Sequence, residues 1–195
     1  MASGVDAAVL APETSPRFAL RAATAAAHRR VDALYAHLNL SRRDDYVRFL
    51  LGHAAAFLPI EAALAAAGAD ALMPGWSRRR RSKALLDDLT ALGLTAPTSR
   101  PPPPFDGAAA VLGGLYVLEG SRLGGAVLVR GVAPGLPTAF LAPETTSSWR
   151  AITTLLDARL ATPAALAKAT SAANAVFSVF EHCARATLEP TLRAD

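Results

Sequence analysis

Two groups of residues in this chain could do chemistry, its histidines and a stretch of glycines. The four histidines are His28, His37, His53 and His182. No two of them have the helical spacing of a zinc-ligand pair, and Cys183, next to His182, points to a different face of any helix that carries both. No serine sits in a G-x-S-x-G turn, so a Ser-His-Asp site has no support either. His28 has the more suggestive surroundings. On a helix, Arg21 two turns before it and Tyr35 two turns after it lie on one line. Asp32, four residues on, can reach back to the imidazole, which is how a metal-bound histidine is oriented through its second ring nitrogen. A plain helical acid–histidine pair has the same spacing, and spacing alone does not choose between them.

The glycines sit in a long apolar run from about Asp106 to Arg130, which reads as a helix. Gly113, Gly114, Gly120, Gly124 and Gly125 all fall where its interior should be, each at a cost of about 1 kcal/mol relative to alanine. At 100° per residue Gly113, Val117, Gly120 and Gly124 share one side. A face without side chains admits either a neighbouring helix, a kink or a flat ligand against the backbone.

The elements that position these residues are helical throughout. Residues 1–14 read as a mobile lead-in and 15–195 as one domain. Ser15-Pro16 offers a cap with proline at the first helical position, opening a helix to about Leu38. Ser41 with Asp44 suggests a capping box for a helix from Arg42 to about Leu58, kinked or ended by Pro59 and continued over Ile60–Ala67 to a stop at Gly68. Ser82–Leu92 is a short helix closed by Gly93, and Thr95–Pro104, with four consecutive prolines, a rigid exposed connection. After the glycine-rich helix come a Pro/Gly-rich loop, a helix over Thr146–Leu160 capped by a Ser/Thr cluster, and a last helix from Thr162-Pro163 to about Leu188. No strand or repeat is evident, so the expected fold is all-α, a single-domain irregular helical bundle.

A net charge of +4, carried mostly by arginine, favours anionic partners. The dense cluster Arg78-Arg79-Arg80-Arg81 with Lys83 reads as a solvated helix start, with a docking patch as the other reading. Aromatic residues are 6% of the chain and no nucleic-acid motif surrounds the cluster. The longest charge-free runs, about a dozen residues, fall short of the ~18–20 that span a bilayer. With no secretory signal and a single cysteine, a cytoplasmic protein without nucleic-acid or membrane partners is expected.

Leu20-Arg21-Ala22-Ala23-Thr24-Ala25-Ala26-Ala27-His28, followed by Asp32, resembles the first-helix motif of heme oxygenases. Tyr116-Val117-Leu118-Glu119-Gly120-Ser121-Arg122-Leu123-Gly124-Gly125 resembles their distal helix, and the likeness is closest to the bacterial branch that accompanies phytochromes. It covers about residues 16–188. The resemblance implies heme b, both substrate and cofactor, sandwiched between the first helix and the glycine-rich one. His28 would be the proximal iron ligand, with Asp32 near its other nitrogen and Arg21 on a propionate. Gly120 and Gly124 would let the distal backbone approach the iron and leave room for O2, with Gly125 and Ser121 lining the same side and Phe177 walling the pocket. The implied reaction turns heme into biliverdin, carbon monoxide and ferrous iron. Electrons would come from an external ferredoxin or reductase, since nothing here binds NAD or flavin, and a bacteriophytochrome could accept the product. The motif lacks the distal aspartate of the animal enzymes, and no Arg or Lys lies between Lys168 and Arg185 to hold a propionate. Those departures would also suit a heme sensor or carrier, or an interaction protein on the same fold.

Overall fold

The computed structural model describes residues 15–142 and 147–188. The expected lead-in over 1–14 and the Ser/Thr cap around Thr146 lie outside them. The described residues form seven α-helices and no strand: α1 Pro16–Tyr35, α2 Arg43–Ala66, α3 Ala69–Leu72, α4 Ser82–Ala91, α5 Ala108–Leu128, α6 Ser147–Arg159 and α7 Pro163–Leu188. Short 3-10 turns cover Trp76–Arg79 and Val129–Gly131.

α7 is the element the others lean on. It packs against α5, α1 and α2, while α4 rests on α2, and α6 bridges α5 and α1. Its inward face carries Ala169, Ala173, Val176, Phe177, Phe180 and Cys183, all buried, a stripe at helical spacing. α2 is long and apolar enough to cross a membrane, but more than half of its most apolar stretch is buried inside the fold. Tyr46, Leu50, Phe57, Ile60 and Leu64 place it in the core.

Several helix ends depart from the sequence reading. α1 stops at Tyr35, short of Leu38. Ser15 makes no side-chain cap; the Asp157 carboxylate of α6 accepts the Arg17 backbone N–H at 3.0 Å instead. The capping box of Ser41 and Asp44 does not form. Asn39 accepts both the N–H and the hydroxyl of Ser41, and Asp45 accepts the Asn39 N–H at 3.0 Å. Pro59 does not end α2, because Phe57, Ile60 and Leu64 bury the turns on either side of it. By contrast, Thr162 caps α7 as expected, its hydroxyl accepting the Ala165 N–H at 3.2 Å, and Gly93 follows α4 with φ +77°, a conformation that favours glycine.

Candidate functional site

α5 resolves the ambiguity of its glycines by dividing them. A side-chain carbon on Gly113 would collide with the Ala169 carbonyl of α7, and one on Gly114 would meet Phe105 and Leu64 at 2.6 and 2.8 Å. These two are packing glycines, present so that α5 can lie against α7 and the core. Gly125 is one too: it is buried, and a methyl there would stand 3.4 Å from Leu141. It therefore faces the 131–142 loop and leaves the open stripe, contrary to the expectation that it lines the ligand side.

Gly120 and Gly124 are different. Gly124 faces open space, and Gly120 has only the ring edge of Trp149 nearby, at 3.5 Å from where a methyl would be. Leu123 and Val127 flank this stripe and are 50% and 65% exposed. Bare backbone edged by exposed apolar side chains is a surface suited to a flat apolar ligand.

On α1, His28 stands on the exposed side. The imidazole Nδ1 lies 2.8 Å from the Asp32 carboxylate, and the His28 side chain is 59% exposed. With Nδ1 as the donor to Asp32, Nε2 keeps its lone pair for a ligand. The ring meets the edge of Phe177 at 5.6 Å between centroids, so α7 fixes its orientation from beneath. Phe177 itself is buried.

Between α1, α5 and α6 opens a cleft of about 950 Å³ lined by Arg17, Phe18, Arg21, Tyr116, Trp149 and Arg150, with Thr153 and Thr154. Arg17 pairs with Asp157 at 3.4 Å. Arg21 and Arg150 pair with no described carboxylate, so aromatic walls and two uncommitted guanidinium groups share one rim. His28 lies two turns along α1 from Arg21, and Gly120 one turn along α5 from Tyr116. Trp149 and Arg150 escaped the sequence reading, with their pairing at the start of α6 the signal available; Tyr116 was read as part of the glycine-rich motif and given no role.

Behind the stripe the arginine cluster divides: Arg78, Arg80 and Lys83 are exposed, as in a solvated helix start, while Arg79 and Arg81 turn inward. Arg81 is buried, neither solvated nor available for docking. It donates to the Leu118 carbonyl at 2.9 Å and to the Ser121 hydroxyl, and its guanidinium stacks 4.8 and 4.9 Å from the rings of Phe57 and Phe140. Arg79 and Arg122 both reach the buried Glu119 carboxylate, at 2.9 and 3.1 Å. Arg80 reaches Glu61 at 3.6 Å. The Ser121 hydroxyl is thus committed to Arg81 and the Leu118 carbonyl, on another side of α5 from Gly120.

His53, left without a role by the sequence, is half-buried and packs against the rings of Tyr35, Phe49, Phe140 and Phe180. Burial, aided by the nearby Arg81 charge and opposed by its bond to the Phe49 carbonyl, pushes its pKa down to about 4. No cluster of three or more His, Cys, Asp or Glu fit for a metal ion exists among the described residues.

No protein-family model matches the chain. A protein named heme oxygenase from Xanthomonas campestris pv. campestris (strain 8004) is 42% identical over 123 residues, which span 60% of this chain and 74% of that protein. Among solved structures, the NO- and CO-bound heme oxygenase from Neisseria meningitidis superposes with a TM-score of 0.79 at 26% identity, covering 90% of this chain and 92% of that one. A histidine held by a carboxylate, an open glycine stripe and a basic aromatic cleft on one helical frame thus occur with close sequence kinship, and the chain belongs to the heme oxygenase family.

Proposed function

We propose that this protein oxidatively cleaves heme to biliverdin, releasing carbon monoxide and ferrous iron, with O2 and electrons from an external donor. The observation that carries the reading is the exposed His28 imidazole, held through Nδ1 by Asp32 at 2.8 Å, on a fold whose glycine stripe stays bare at Gly120 and Gly124.

The residues present fit the group. His28 would hold the iron through Nε2, and Asp32 would keep the imidazole turned for it. The bare stripe would take the opposite face of the plane, where a side chain would otherwise stand. Leu123 and Val127 would cover apolar edges and lose their own exposure to water. Arg21 and Arg150, on the cleft rim, would meet the propionate carboxylates in charge-assisted bonds, so that the missing base in the last helix is supplied by α6. Bound heme supplies the iron that activates dioxygen and is itself the molecule oxidised. The chain's part is to orient the plane, keep one axial side free of side chains, and admit ordered water that can pass protons.

The basic surface suits an acidic ferredoxin or reductase as donor. We place the reaction in the cytoplasm, where a lone thiol stays reduced, and regard a bacteriophytochrome as a fitting acceptor of the product on the motif resemblance.

A heme titration of wild type and His28→Ala, followed by reductant under air, tests this. Expected are a Soret band lost or shifted in the variant, and bleaching toward a biliverdin spectrum in wild type. A variant whose spectrum matches wild type, or a wild type that never bleaches, would overturn the assignment of His28 or the cleavage respectively.

A further inference from the structure

The turn of α5 that carries Gly120 has no side chains of its own to hold it on the cleft side. Among the described residues, its side-chain hydrogen bonds and ion pairs to other elements come from the opposite side, and from one short segment. Trp76 donates its indole N–H to Glu119 at 3.2 Å, and Arg79 donates to the same carboxylate at 2.9 Å. Arg122 bonds back to the Arg79 carbonyl and to Glu119. Arg81 donates to the Leu118 carbonyl and the Ser121 hydroxyl. Residues 118, 119, 121 and 122 are therefore all tied to 76–81, and Gly120 sits in their midst.

We propose that Arg81 is a positioning residue for the distal helix: its guanidinium clamps the Leu118–Ser121 turn so that Gly120 is presented at a fixed distance from α1. Arg81 is suited to this because it is itself immobilised. Its backbone N–H is accepted by the buried Glu61 carboxylate at 2.7 Å, and its guanidinium lies against the edge-to-face pair of Phe57 and Phe140. Phe140 is fixed in turn by its N–H to Asp88 at 2.8 Å. A planar group with several donors can hold a carbonyl and a hydroxyl together, whereas a lysine ammonium at the end of a flexible stem cannot fix both in one geometry. The clamp acts at a carbonyl inside the helix, which is where a glycine-rich helix opens most readily. Its consequence for ligand geometry rests on the heme reading; the clamp itself does not.

The test is amide hydrogen exchange of the purified chain without added heme, in wild type, Arg81→Met and Leu85→Ala. Leu85 is a buried core residue of α4 and controls for general loss of stability. Arg81→Met should speed exchange at 119–125 by about tenfold relative to α2 and α7, while Leu85→Ala raises exchange without singling out α5. With carbon monoxide bound to the reduced heme complex, the C–O stretch should shift in Arg81→Met and return part of the way in Arg81→Lys. Uniform acceleration in Arg81→Met, or an unmoved stretch, would overturn the proposal. If Arg81→Met does not fold, Ser121→Ala removes half of the clamp, and exchange at 119–125 no faster than in wild type overturns it equally. A chain that binds no heme would sink the proposed function and leave the exchange result standing.

Discussion

His28 and His53 show how burial decides what a histidine can do. His28 is exposed and steered by Asp32, so its second nitrogen is available. His53 is enclosed by aromatic rings and kept neutral, with a pKa near 4. An unfolded histidine takes up its proton near pH 6.5, so the unfolded chain binds more protons than the folded one between there and about 4. Stability is therefore intact above the unfolded pKa and declines as pH falls through that window, by roughly 3 kcal/mol in total from this group. Urea titrations from pH 7.5 to 4.5 should show the slope, and His53→Phe should flatten it; an unchanged slope in the variant would assign it elsewhere. On the cleft rim, replacing Arg21 or Arg150 by alanine should each weaken heme binding by about tenfold, as loss of a charge-assisted bond does. Heme dimethyl ester, which has no carboxylates, should bind all three proteins alike.

At the scale of elements, α5 does two jobs along one stripe. Its first half is a packing surface and its second an open face: Gly113 lies against the Ala169 carbonyl of α7, while nothing stands within 4 Å of a methyl placed on Gly124. Gly113→Ala should lose about 1–3 kcal/mol in denaturant unfolding, as overpacking does. Gly124→Ala, with nothing within reach of the new methyl, should gain up to about 1 kcal/mol in the same measurement and yet alter the heme spectrum or slow turnover. A Gly124→Ala variant that is stabilised and spectrally unchanged would remove that position from the ligand face. Helical periodicity made the stripe legible in the sequence. It did not divide Gly113 from Gly124, because the division depends on where a distant helix crosses. The caps of α1 and α2 were misread for a related reason: Asp157 of α6 accepts the Arg17 N–H, and Asn39 engages both the N–H and the hydroxyl of Ser41 before α2 begins, partners with no signature at Ser15 or Ser41 themselves.

For the whole molecule, a net charge of +4 concentrated in arginine would set the terms on which the proposed acidic donor meets the surface. Turnover driven by an acidic ferredoxin should fall several-fold between about 50 and 500 mM salt, as screened association does, while heme cleavage driven by a small chemical reductant should be little affected. Equal salt sensitivity with both would place the effect in the site. Part of the arginine count does not reach the surface, since Arg81 is buried and Arg79 and Arg122 are held by Glu119. The +4 therefore overstates what a partner sees at the 76–81 segment.

By itself the sequence determined the all-helical class, the approximate helix spans, the pairing of His28 with Asp32 and the stripe through Gly120 and Gly124. Each of these follows from a period of 3.6 residues, which is local information. Only the tertiary structure decided that Gly113, Gly114 and Gly125 serve packing, that Arg79 and Arg81 turn inward to hold α5, that His53 packs among aromatic rings, and that Tyr116, Trp149 and Arg150 share a cleft with Arg21. Those outcomes depend on tertiary contacts, such as those of Arg81 with residues 37 and 40 positions away, and a charge run such as Arg78–Arg81 reads the same whether water or a carbonyl satisfies it.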